Sequence, residues 1–263
     1  QACAAATCTA NNRQPITIRP TIIPHPNAGC QIVLFGTGKY LDQADNVSVD
    51  GGVQSFYAIW DKGSAPSPAL NRNNLQQQSI LVESTFTFTG PDDETITEQL
   101  RVTTNDIVNW DNKRGWYLDL VSPHGFEGER QVTNSVVRNG RLIFTTMIPS
   151  DTSDPCAPAG TSWIMEMNAT TGSRLTYSPF DLNRDDTFSS ADYVSVNIDG
   201  ETVKVPTTGR KMEGGHAQTP TVVASEDKEF KYVSTSEGLE TIVENPGKSL
   251  TGRQSWRELF LIQ

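Results

Sequence analysis

Four acids and one arginine fall within DLNRDDTFSSAD, residues 181–192. Laid out as a cation-binding loop, the stretch puts Asp181 at position 1, Asn183 at 3 and Asp185 at 5. Thr187 falls at 7, where the backbone carbonyl serves, Ser189 at 9, often through a water, and Asp192 at 12. Alternating side chains around a tight turn supply oxygen donors, which suits calcium, a hard cation that takes six to eight oxygens at ~2.3–2.6 Å. Phe188 supplies the apolar residue usual at position 8. Two departures stand out. Position 6 is Asp186 instead of glycine, so the sharp turn needs the left-handed conformation that Asp tolerates better than most residues. Position 12 is an aspartate, with a shorter reach than glutamate. The competing reading is a solvated acidic turn; against it, four carboxylates so close repel each other unless a cation intervenes. A calcium site is the expectation.

The scaffold that must hold this loop reads as all-β. With 36% hydrophobic residues, 20 Gly and 15 Pro, the chain is turn-dense. Strand-like runs recur, among them 31–35, 53–60, 80–88, 95–103, 116–120, 141–148, 163–167, 193–198, 220–224, 230–234 and 254–262, and no window holds a helical period. A weak repeat links 19–38, 133–147 and 219–238: apolar run, polar turn, second strand. An aromatic strand follows each, at 55–63, 161–172 and 253–260. Repeated short strands of this kind suggest propeller blades, each with an apolar face that only a neighbour can bury. The expected layout is an N-terminal segment, 1–14, with Cys3 and Cys8, then the C-terminal part of a β-propeller over 15–263. Insertions are expected near 62–78 and 179–215, the latter holding the acidic loop. Opening on Gln1 without a signal-peptide pattern, the sequence reads as a piece whose targeting segment lies elsewhere.

Several function classes recede. A formal charge of −10 disfavours a nucleic-acid partner, and no apolar run is long enough to span a membrane. The three histidines stand apart and no CxxC pair occurs, which leaves zinc and a nucleophilic triad unsupported. Lys39 in LFGTGKYL lacks the spacing of a phosphate loop. Four cysteines allow three pairings; Cys3–Cys8 with Cys30–Cys156 is the expected set, four reduced thiols the alternative. Trp60, Trp110, Trp116, Trp163 and Trp256 are expected to pack between blades, with a stacking platform as the sharper alternative.

The strings VLFGTGKYL (33–41), GWYLDL (115–120), RLIFTTMIP (141–149), CAPAGTSWIMEMNATTG (156–172), FDLNRDD (180–186) and GRQSWREL (252–259) run in one order over nearly the whole chain. In these the sequence resembles the C-terminal propeller of the PilY/PilC family of type IV pilus tip-associated biogenesis and adhesion factors. The resemblance implies a seven-bladed, quinoprotein-like propeller of which this chain covers the C-terminal blades. It implies export through the periplasm, a place at the pilus tip, cell surface or outer membrane, and work with minor pilins. The N-terminal adhesin region of the same protein and a host surface receptor are further implied partners. A calcium loop governing pilus extension and retraction, and with them twitching motility, is implied at Asp181, Asn183, Asp185, Thr187, Ser189 and Asp192. The expected role is binding and assembly, not catalysis. A quinoprotein-type dehydrogenase and a carbohydrate-binding propeller are the alternatives, and neither a quinone pocket nor its acid and tryptophan can be assembled from this sequence.

Overall fold

The computed structural model describes residues 13–27, 29–46, 52–63, 69–150 and 160–247. Among them the regular elements are strands and three short 3-10 turns. Alternation drives the strands. In Gln31–Gly36 (β2) and Thr95–Thr103 (β6), every second residue is buried for most of the length, as a pleated ribbon with one covered face requires.

The repeat seen in sequence becomes a repeated antiparallel meander. Thr21–Pro24 (β1), β2 and Ser55–Asp61 (β3) pair in order, and Gly115–Asp119 (β7) joins the far side of β3. Gln76–Gln78 (β4) then adds to β7 in parallel. Val136–Arg138 (β8), Arg141–Pro149 (β9), Gly160–Asn168 (β10) and Gly209–Met212 (β13) follow the same plan. Here β6 pairs with β13, and Ile80–Thr89 (β5) pairs with β6, giving six strands. Thr221–Ala224 (β14), Glu229–Thr235 (β15) and Gly238–Glu244 (β16) form a third meander, of three strands. Val194–Ile198 (β11) and Glu201–Val205 (β12) stand as a hairpin. Asn139 and Gly140 link β8 to β9, and Asp199 and Gly200 link β11 to β12, all with positive φ. That is the backbone a two-residue hairpin turn needs to match strand twist.

Four strands differ from expectation. β4 (QQQ), β12 (ETVKV), β13 (GRKM) and β16 (GLETIVE) carry little apolar alternation, and they form because neighbouring edges demand partners. In the last meander β16 pairs with β15, and the aromatic strand expected at 253–260 lies outside the described residues. Cys3, Cys8 and Cys156 also lie outside them, whereas Cys30 sits half-buried in the turn before β2.

Two apolar clusters bind the sheets. One joins Leu34, Phe56, Trp116 and Leu118 of the first sheet to Leu142, Phe144, Trp163 and Met165 of the second. Phe56 stacks on Phe144, with ring centroids 4.6 Å apart. Phe144→Ala should cost about 3–5 kcal/mol through lost burial and a cavity, read as a lowered urea midpoint. The other gathers Ile143 and Ile164, Val194 and Val196, Val233 and Ile242, together with Phe180 and Leu182 of the acidic segment.

The buried guanidinium of Arg101 is paired on every side. Arg101, fully buried, donates from both terminal nitrogens to Glu129 at 2.7 Å and from Nε to Glu83 at 2.8 Å, while lying 3.9 Å over the Trp163 ring. A guanidinium can be buried when carboxylates and a π-face replace its water.

Candidate metal centre

The acidic loop leaves the core at Phe180 and Leu182, each 1% exposed. Those two side chains fix its base, and the sequence between them and Val194 must turn back within a dozen residues. Arg184 and Asp186 both adopt positive φ, 56° and 63°. The left-handed turn expected at Asp186 is therefore present, and a second one at Arg184 accompanies it.

Backbone amides pin the two end carboxylates. Asp181 Oδ1 accepts from the Asp185 N–H at 3.2 Å and Oδ2 from the Asp186 N–H at 3.0 Å. Asp192 Oδ1 accepts from the Leu182 N–H at 2.8 Å and Oδ2 from the Ser189 N–H at 2.9 Å. Asp185 Oδ1 takes the Thr187 N–H at 2.8 Å and its hydroxyl at 2.6 Å, and Asp185 Oδ2 takes the Asn183 amide at 2.7 Å. Ser189 caps the short turn Ser190–Asp192, accepting from the Ala191 N–H at 3.0 Å.

The structure thus links Asp181, Asn183, Asp185 and Thr187 in one hydrogen-bonded arc, with Asp192 and Ser189 closing the other end. Each ionised carboxylate has about four acceptor sites, so this arrangement leaves lone pairs unspent on Asp181 and Asp192.

Electrostatics divide the three acids. Burial pushes the Asp181 carboxyl above its ordinary range, and the nearby charges of Asp192 and Asp185 add to the rise. Asp192, with no exposed surface, is likewise raised by burial, against the pull of its backbone donors. Asp185 is lowered, chiefly by the Thr187 hydroxyl. Among the described residues no three His, Cys, Asp or Glu side chains stand gathered as a preformed metal cage. The donors are all oxygen, in keeping with a hard cation.

Sequence reasoning missed the ion pairs that tie the loop to its surroundings. Lys228, in the turn before β15, pairs with Asp186 at 2.9 Å, and Arg184 reaches Glu98 of β6 at 3.2 Å. No local pattern announces either, since the partners lie far apart in sequence. The described tryptophans have structural tasks: Trp116 and Trp163 are fully buried, while Trp60 and Trp110 enclose His25 at 4.2 and 4.4 Å.

Repeated meanders packed face to face, with an acidic oxygen-donor loop at the junction of the second and third, define a propeller-type β scaffold. A family model described as the PilY1 beta-propeller domain matches residues 1–92. The type IV pilus biogenesis factor PilY1 of Pseudomonas aeruginosa strain PAO1 is 32% identical over 97% of this chain and 22% of its own length. A PilY1 homolog of Xylella fastidiosa is 33% identical over 61% of the chain and 10% of its own length. The crystal structure of the P. aeruginosa PilY1 C-terminal domain superposes with a TM-score of 0.72 at 28% identity, covering 89% of this chain and 45% of that one. The chain belongs to the PilY1 family and matches part of its C-terminal domain. It spans about a fifth of the length of the P. aeruginosa relatives.

Proposed function

We propose that this chain is the calcium-binding propeller module of a type IV pilus tip-associated protein, a binding and assembly part and not an enzyme. The relatives' naming as pilus biogenesis factors supports the pilus setting. Within that setting the module supports pilus assembly, control of extension and retraction, twitching motility and surface adhesion. Its partners are minor pilins at the tip, the N-terminal adhesin region of the same protein and a host surface receptor. Its place is the pilus tip and cell surface, associated with the outer membrane and reached through the periplasm. No helix among the described residues is long and apolar enough to cross a membrane.

The observation that carries the calcium reading is the pinning of Asp181 and Asp192 by backbone amides, which orients a half-buried and a buried carboxylate and leaves acceptor capacity on both. Asn183, Asp185, Thr187 and Ser189 supply the remaining oxygens. When bound, calcium would neutralise the clustered charge; the chain's own residues set how strongly. The loop is not a preformed cage and ends on the short Asp192, so affinity should be modest, about 10⁻⁶–10⁻⁴ M. Magnesium should bind worse because it gives up its waters reluctantly.

Calorimetric titration tests this directly. Asp185→Ala removes a half-buried anionic ligand that lies outside the core, so binding should vanish while the β-type circular dichroism spectrum stays unchanged. Wild-type affinity in that variant would remove the site. Lost binding with unaltered piliation and twitching of cells carrying it would remove the regulatory role. A second expectation follows from export: thiol counting under denaturing, non-reducing conditions should find none free, with a Cys30–Cys156 bridge contributing roughly 4–5 kcal/mol on chain-entropy grounds.

A further inference from the structure

A lysine buried among carboxylates ordinarily stays there as half of an ion pair. The surroundings of Lys231 allow more than that. Lys231 of β15 stands opposite Ile242 of β16, and Glu229 opposite Glu244, so Lys231 and Glu244 are diagonal neighbours on one face of the three-stranded sheet. That face lies against the six-stranded sheet, and Lys231, Glu244 and Glu166 of β10 have no exposed surface. The Lys231 Nζ touches a carboxylate oxygen of Glu244 and one of Glu166. Glu244 Oε1 is buried without a hydrogen-bond partner among the described residues. Arg141 Nη1 lies 3.7 Å from Glu244 Oε2 and 2.9 Å from Glu166 Oε2. Burial holds the Lys231 ammonium down at about 8, which brings the free amine within reach of neutral pH.

We propose that Lys231 and Glu244 join in a side-chain amide, an isopeptide bond that the folded chain forms without an added enzyme or cofactor. In a dry, low-dielectric pocket the ammonium can pass a proton to the carboxylate, because neither charge has the water that would favour it. The amine lone pair of Lys231 then attacks Glu244 Cδ. One proton of the attacking nitrogen goes to Glu166, which returns it to the hydroxyl leaving Cδ; a water molecule departs and Glu166 ends as it began. Glu244 Oε2, the oxygen that Arg141 faces, carries the negative charge of the tetrahedral intermediate and becomes the amide carbonyl. A C–O bond is exchanged for a C–N bond, so no oxidant or reductant is needed. Exclusion of bulk water then protects the product from hydrolysis. Ligation removes one cation and one carboxylate together, so the charges left at the seam stay balanced. The titration of Lys231 belongs to chains that have not ligated. The product closes a ring over 231–244 and fixes the β15–β16 pairing covalently.

Mass spectrometry of a tryptic digest of the purified chain, after prolonged incubation at neutral pH, tests the bond. Trypsin cuts after Lys228, Lys231 and Lys248, but not after a lysine whose amine is an amide. The expected product is one peptide over 229–248, uncut after Lys231 and lighter than its sequence by one water. Its backbone fragments should arise only outside 231–244. Recovery of 229–231 and 232–248 at full mass would overturn the proposal. Lys231→Arg keeps a cation but has no amine to ligate, and its digest should contain no water-deficient peptide; one that persisted would place the dehydration elsewhere and overturn the bond. Glu166→Gln keeps the side-chain volume without the proton relay, and should slow ligation by about a hundredfold or more. Ligation at the wild-type rate in that variant, with its circular dichroism spectrum unchanged, would overturn the mechanism.

Discussion

Arg141→Ala should cost roughly 3–5 kcal/mol of folding stability, the range seen when one partner of a buried ion pair is deleted. Arg141 opens β9 with no exposed surface and donates to Glu166 at 2.9 Å and to Glu229, while Glu244 lies 3.7 Å away. Lys231, equally buried, pairs with Glu166 and Glu244, and Arg138 reaches Glu229 from a more exposed position. Three cations therefore balance three carboxylates at the seam between the six-stranded and three-stranded sheets. Removing Arg141 leaves the carboxylates in excess where water cannot replace it. Arg138, 38% exposed, can be replaced by alanine at a much smaller cost, since solvent screens its contribution. Urea denaturation of both variants checks the contrast, and an Arg141→Ala loss below about 1 kcal/mol would contradict the account.

Lys231 offers an internal check on the same network. Burial, with help from the Arg141 charge, pushes its ammonium down from 10.5 to about 8, against the upward pull of Glu166. Its folded value lies below its free value, so the charged form costs stability below about pH 8. That cost fades as pH rises towards 10.5. Deleting Arg141 removes one downward pull and should move the titration of Lys231 upward.

Gly115→Ala is the second large effect, expected at roughly 3–5 kcal/mol. Gly115 starts β7 opposite Ile59 with φ at 132°, and an added Cβ would sit 1.8 Å from the Ala58 carbonyl oxygen. Backbone cannot rotate aside as a side chain can, so the β3–β7 pairing and the placement of the buried Trp116 beside it must shift. Gly200→Ala is the control. Its φ is 88° but its surroundings are open, so only the conformational penalty applies, about 1 kcal/mol. Equal losses in the two variants would show that crowding at Ala58 is not what demands glycine.

Much of the architecture was legible because its signals are local. Apolar alternation in β2 and β6, the Asn139–Gly140 turn and the repeated apolar-run–turn–strand plan each lie within a few residues. An all-β fold with a repeating meander follows from them. The acidic loop was legible for the same reason: alternating oxygen donors over twelve residues make a pattern, and the left-handed turn at Asp186 could be anticipated from the missing glycine.

Tertiary structure decided the rest. β4, β12, β13 and β16 have too few apolar residues to declare themselves, and become strands because an edge with unpaired amides and carbonyls stood beside them. The ion networks were invisible for a related reason. Arg141, Glu166, Glu229 and Lys231 look like ordinary surface charges in sequence, and Arg141 meets Glu229 across 88 residues of chain. Lys228 likewise finds Asp186 only because β14 and β15 bring their turn to the loop. A hydrophobic period shows which face of a strand is covered, but not which sheet covers it. Charges with partners distant in sequence are paired only when the sheets close, since only burial makes leaving them unpaired so costly.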